Sequence, residues 1–163
     1  MATFVLLSRR FSSSYFFANP KVLAALSRKS VSEIYASFLG EEAVDSYLRS
    51  VAVEHYLAEK VTRSIVLVAE GAVVGYSVPN QDLIDLMMID AGYHRRGLGT
   101  VLLRHVEDTL IRIHRSLRLE SFEENAVANS FYRKNGWVEV RQFTDEQSGI
   151  EKIEFQKSQR IWR

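Results

Sequence analysis

The stretch Ile89–Thr100, IDAGYHRRGLGT, limits what this chain can fold into more than any other. It follows a β-type apolar run, Leu83–Ile89 (LIDLMMI). After it, Val101, Leu102, Val106, Leu110 and Ile113 recur at helical spacing as far as about His114. A strand that runs through glycines straight into a helix calls for a helix packed on a sheet, an α/β layer arrangement. The turn also gathers unpaired backbone N–H groups at the positive end of the helix, where an anion is favoured. Gly97 and Gly99 let the backbone approach such an anion closely. Arg95 and Arg96 add charge suited to phosphate. The familiar nucleotide loops do not fit. No Lys follows the glycines, as a Walker loop requires, and Leu102 stands where a dinucleotide fingerprint has Gly or Ala. A tight turn with solvated arginines is the alternative reading of this loop taken alone.

The remaining pattern supports one α/β domain over residues 1–163. Thr3–Arg10 reads as a strand, and Asn19-Pro20 opens a helix to about Phe38, with Gly40 ending it. Glu41–Lys60 reads as one further helical segment with acids in its first turn. Ser64–Glu70 (SIVLVAE) is a buried strand, and Ala72–Ser77 is its hairpin partner before a break at Pro79-Asn80. Leu117–Phe122 is a strand and Ala126–Asn135 a short helix capped by Gly136. Trp137–Phe143 and Ile150–Gln156 close the chain as strands. Hairpins at both ends argue against a purely parallel sheet. The expected fold is a mixed, mostly antiparallel sheet of about six to seven strands flanked by about four helices.

Composition narrows the chemistry. Lys plus Arg is 21 and Asp plus Glu is 20, so no global field points to nucleic acid. There are no cysteines, which removes disulfides, thiolate metal sites and a Cys nucleophile together. Four scattered histidines make no metal-binding spacing, so no metal is expected. No apolar run approaches the ~20 residues of a spanning helix. No acid precedes Glu33, while Arg9, Arg10 and Ser12–Ser14 are present, a composition shared with transit peptides. An N-terminal strand explains the same residues, and a cytoplasmic protein is expected.

A second informative stretch is Leu117–Val138, LRLESFEENAVANSFYRKNGWV. His94–Gly99 (HRRGLG) resembles the [Q/R]-x-x-G-x-[G/A] pyrophosphate loop of the GNAT superfamily, the acetyl-CoA-dependent N-acetyltransferases. Asn125–Trp137 resembles the N-x-x-A-x-x-F-Y-x-x-x-G-F segment that follows it in that superfamily, in the same order and spacing. The resemblance covers about Ser64 to Val140. His94 departs from the usual Gln or Arg, and Ala91-Gly92 replaces the usual Pro. The resemblance implies that strands Leu83–Ile89 and Leu117–Phe122 splay apart at the sheet centre. It implies that Met87, Met88 and Ile89 present backbone groups to the pantetheine arm of acetyl-CoA. It also implies that His94, Arg95, Arg96, Gly97, Leu98, Gly99 and Thr100 cradle the pyrophosphate, and that Asn125 bonds the pantetheine.

Acyl transfer to an amine sets its own demands. An alkyl ammonium has a pKa near 10.4, so only about one molecule in a thousand is neutral at pH 7. The site must accept a proton, steady an oxyanion and protonate a departing thiolate. Tyr132 matches the family's Tyr and suits the last task, since a phenol of pKa ~10 can donate to a thiolate of pKa ~8.5. It also has a reading as a plain core aromatic. Glu120 alternates with Leu117 and Leu119 and is the candidate base, with Asp85 or a water chain as rivals. By fold analogy, the oxyanion donor is expected to be a backbone N–H near Met88. The acceptor amine, from a small molecule or peptide, is expected around Ser32–Tyr47, Tyr76–Gln81 and Phe143–Gly149. Glu33, Glu41, Glu42 and Asp45 suit a cation or simply a solvated face. Direct acetyl transfer is the preferred function, and a non-catalytic acyl-CoA-binding module on the same fold is the alternative. A homodimer through the C-terminal edge strands is expected by analogy only.

Overall fold

The computed structural model describes residues 4–7, 19–146 and 148–158. Its elements run β1 (Phe4–Leu7), α1 (Pro20–Ser30), a π-helical turn (Val31–Tyr35), α2 (Ala36–Leu39), α3 (Glu41–Arg49) and α4 (Ala52–Lys60). Then come β2 (Ile65–Ala69), β3 (Ala72–Asn80), β4 (Leu83–Ile89), α5 (Leu98–Leu110), β5 (Ser116–Phe122), α6 (Ala126–Lys134), β6 (Val138–Thr144) and β7 (Glu151–Ser158). One seven-stranded sheet has the order β1-β2-β3-β4-β5-β7-β6. Every pairing is antiparallel except β4 with β5. The expected mixed sheet is therefore present. Of the acid-free N-terminal stretch, Phe4–Leu7 pairs with β2, and its other residues before Asn19 lie outside the described set.

Two apolar cores hold the layers. On one face Leu98, Leu102, Leu103 and Val106 of α5 pack against Leu67, Ile84, Leu117, Leu119 and Phe155. On the other, Leu23 and Leu26 of α1 and Leu57 of α4 pack against Val66, Val68, Tyr76 and Met88. Because β2 is covered on both faces, all five of its residues are buried, which accounts for the unbroken run IVLVA. β6, at the sheet edge, buries none of its residues.

Local chemistry sets the boundaries. Asn19 caps α1 by accepting from the Lys21 N–H at 2.9 Å, with Pro20 in the first turn. Gly136 takes φ +83° after α6. Two boundaries differ from the sequence reading. Glu41–Lys60 is two helices, because Ser50 turns extended and its hydroxyl accepts from the Ala52 N–H at 3.0 Å, restarting the helix. β3 runs through Pro79-Asn80 instead of breaking there. A register shift at Val78/Pro79 leaves Asp85 of β4 without a partner, and such a bulge accommodates a proline.

Candidate functional site

The sheet opens at its centre. β4 and β5 pair only at Leu83–Arg118 and Ile84–Leu119, and beyond those residues they part. The Asp85 bulge lies at the start of the gap and reverses the alternation of β4. Ile84 belongs to the α5 core, whereas Leu86 and Met88 face the α1–α4 core. Past the bulge, the Asp90 N–H donates to the Val74 carbonyl at 2.9 Å, so the Asp90–Val74 pair is a hydrogen-bonded one. By alternation Met88 turns its backbone groups to Tyr76 of β3, while Met87 and Ile89 turn theirs toward the gap. Met87 and the Ile89 N–H thus face the gap, while the Ile89 carbonyl meets the His94 ring. Met88 instead pairs with Tyr76 of β3, and its side chain is buried.

The glycine loop is braced from within and from outside. Asp90 accepts from the Gly92 N–H at 2.9 Å, and the Lys29 ammonium donates to both Asp90 oxygens at 2.9 Å. Lys29 thereby holds the Asp90 carboxyl below its ordinary range, with burial opposing it, and the Lys29 ammonium is raised in return. His94 turns back on the strand, its Nε2 lying 2.9 Å from the Ile89 carbonyl. Its ring closes the loop. Arg95 takes φ +60° and Gly97 φ +79°. Arg95 and Arg96 are exposed, and the Arg96 guanidinium sits 5.0 Å above the Tyr93 ring. No side chain caps α5, so the N–H groups of Leu98, Gly99 and Thr100 stand free of an intrahelical acceptor. At Gly99 a Cβ would meet the Phe131 ring at 3.4 Å and Ile89 at 3.9 Å. The end of β4, the first turn of α5 and α6 therefore meet there. An uncapped helix start beside a free strand edge fits an anionic group with an extended amide-bearing arm.

Tyr132 lies on α6 beside that junction, packed on Phe131, Trp137 and Phe155 with ring centroids 5.4, 6.4 and 5.7 Å away. Its hydroxyl makes no hydrogen bond to the described residues. Burial pushes its phenol well above the ordinary value, and Tyr35 adds to the shift. Asn125 caps α6, its Oδ1 accepting from the Ala128 N–H at 3.1 Å, so only its amide nitrogen is left for a ligand. Glu120, exposed, is the first β5 residue past the last one paired with β4. Lys152 lies 3.4 Å from its carboxylate and 2.6 Å from that of Asp145. Asp85 accepts from the Tyr56 hydroxyl.

Two features escaped the sequence reading. Asn129 is buried and donates to the carbonyls of Phe122 at 3.1 Å and Glu123 at 2.8 Å, pinning the β5–α6 connection. Lys29 reaches the loop from 61 residues away. No local pattern signals either. Among the described residues no group of three or more His, Cys, Asp or Glu is arranged to hold a metal, and no helix is long and apolar enough to cross a membrane. An open groove of about 720 Å³ lies elsewhere, between the end of α5 and β6–β7, and none of these site residues lines it.

A splayed sheet with an uncapped helix start at the opening places this chain among α/β folds with a central cleft. Residues 22–159 match the family model described as acetyltransferase (GNAT) domain, and the chain belongs to that family. Its fold is similar to a GCN5-related N-acetyltransferase from Rhodopseudomonas palustris (TM-score 0.76, 21% identity, 95% of each chain covered). It is also similar to the PaiA N-acetyltransferase of Thermoplasma acidophilum, solved with coenzyme A (TM-score 0.74, 19% identity, 98% of this chain and 99% of that one). A third is Ard1 from Thermoplasma volcanium (TM-score 0.66, 19% identity, 96% and 97% covered). No curated protein matches the chain in sequence.

Proposed function

We propose that this protein is an acetyl-CoA-dependent N-acetyltransferase acting on a primary amine by direct transfer. The observation that carries the reading is the parting of β4 from β5 beside an uncapped α5, with Tyr132 next to the junction. Acetyl-CoA would supply an acetyl group activated as a thioester. Leu98, Gly99 and Thr100 would bind the pyrophosphate through backbone N–H groups, with Arg95 and Arg96 adding charge. The backbone of Met87 and Ile89 would hold the pantetheine arm as an added strand, with the Asn125 amide nitrogen in reach of it. His94 and Lys29 would act indirectly, by fixing the loop.

Glu120 would take the proton that the attacking ammonium must shed, directly or through water. As the new C–N bond forms and the C–S bond breaks, Tyr132 would give its proton to the departing sulfur. Its raised phenol keeps that proton in place throughout the neutral range. With no cysteine in the chain, the acetyl group has no thiol to visit on the protein, and direct attack is the simplest route.

Saturating acetyl-CoA should raise Tm by about 5–10 °C, as expected for a ligand near 100-fold over its Kd, whereas NADH and ATP should not. A thiol-reactive dye should then record CoA release that depends on added amine, free of background from protein thiols. Absence of a shift with any CoA thioester would defeat the reading. A shift without amine-dependent release would leave a binding module.

A further inference from the structure

Three aromatic rings sit where the helical layer reaches the gap. Tyr35 ends the π-helical turn, Phe38 belongs to α2, and Phe122 ends β5. Their centroids lie 5.1 Å (Tyr35–Phe38), 5.7 Å (Tyr35–Phe122) and 6.0 Å (Phe38–Phe122) apart. All three are only half-buried. Phe38 and Phe122 belong to neither apolar core, and α2 contributes no fully buried residue. Tyr35 reaches the α1–α4 core, whereas Phe38 and Phe122 keep part of their ring surface outside both cores. The π-helical turn inserts one residue into the helical repeat just before α2. The cluster borders the opening of the sheet, since Phe122 lies two residues past Glu120, the first β5 residue beyond the last pair with β4, and α6 is tied to the Phe122 carbonyl by Asn129 at 3.1 Å.

On β5, Glu120 precedes Phe122 by two residues, so both project from one face about 7 Å apart. Three of the acids near β5 have close cations. Arg118 holds Asp82 at 2.9 Å, Arg141 holds Glu154 at 2.8 Å, and Lys152 holds Asp145 at 2.6 Å. Glu120 has only the shared Lys152, at 3.4 Å. A carboxylate next to an aromatic wall suits an ammonium next to a ring.

Building on the acetyl-transfer reading, we infer that the acceptor is an arylalkylamine, a monocationic amine with an aromatic ring a short chain from its nitrogen. Tyr35, Phe38 and Phe122 bind the ring and Glu120 receives the ammonium. A polyamine would bring further positive charges against the rings, and an amino sugar would set hydroxyls on apolar surface.

The test compares kcat/KM for phenethylamine, spermidine, glucosamine and a tripeptide with a free N-terminus, using wild type, Phe38→Ala and Phe122→Ala. Phenethylamine should exceed the others at least tenfold. Each variant should lose at least tenfold on phenethylamine, mainly through KM, while keeping the acetyl-CoA thermal shift. Phe122→Leu, which keeps apolar volume, serves if Phe122→Ala does not fold, and it should lose less. Preference for another amine, or an unchanged kcat/KM in Phe38→Ala, overturns this inference. If the acetyl-CoA shift and amine-dependent release persist in that case, the acetyl-transfer reading stands. If wild type shows no shift, both fall.

Discussion

Tyr132 is packed as a core aromatic and, in the proposed reaction, is the proton donor as well. Its ring is fixed against Phe131, Trp137 and Phe155, so its hydroxyl is aimed without needing a hydrogen-bond partner of its own. Burial raises the phenol, which keeps it a donor at every pH an assay would use. Tyr132→Phe should therefore lower kcat by about 10²-fold with little change in KM for acetyl-CoA. The factor should be the same from pH 6 to 9 (a range below the ~10 of a free phenol). A pH profile of both enzymes checks this, and a ratio that changes with pH would reassign the acid. Glu120 is less constrained. Its sequence position was legible by alternation, but its partner Lys152 lies on β7, which only sheet pairing brings alongside.

Among the elements, β4 carries most of the site. Its bulge at Asp85 reverses which residues face which layer, turning Met87 and Ile89 toward the gap and burying Met88. The opposing strand must stay close for this to hold. Gly75 sits across from Ile89, and a Cβ there would lie 2.4 Å from Ile89 Cδ1 and 2.9 Å from the Met88 carbonyl oxygen. Gly75→Ala should therefore cost about 1–3 kcal/mol of stability by forcing the strands apart. It should also weaken acetyl-CoA binding, because Ile89 is pushed toward the gap. Urea denaturation and a CoA titration measure the two effects, and loss of neither would mean that the strands yield freely. The sequence pattern identified β4 as a strand from Leu83 to Ile89. It could not reveal the bulge, because LIDLMMI reads as nearly uniform apolar density with no mark of a reversed face.

At the scale of the whole molecule, titration bounds the folded state on both sides. Tyr35, pushed up to about 12, and Tyr56, Tyr76 and Tyr132 all have raised phenols, chiefly through burial. In the unfolded chain phenols ionise near pH 10. Stability tied to these groups is complete below that value and is lost as pH rises through the higher folded values. Asp82, Asp90 and Asp145 are lowered, mainly by hydrogen bonds from Arg118, Lys29 and Lys152 respectively. Their contribution is present above the ordinary carboxylate value near 4 and is lost as pH falls through the folded ones. The urea midpoint should thus be flat between about pH 5 and 9 and decline beyond both ends. An alkaline decline that begins well below pH 9 would show that the phenols are not the groups responsible.

The sequence by itself determined the order of elements, the glycine turn at the head of α5 and the family, because these rest on local spacing and on two motifs in register. It also placed Glu120 opposite Leu117 and Leu119 and set Tyr132 on the short helix after β5. Only the tertiary structure decided what those residues meet. The Lys29 brace on Asp90 and the three rings at the gap each join segments far apart in the chain. His94 and Asn125 fit a binding motif by position, yet one closes a loop and the other caps a helix, since a polar side chain takes the nearest unpaired backbone group. That competition is settled in three dimensions, where spacing along the chain carries no information.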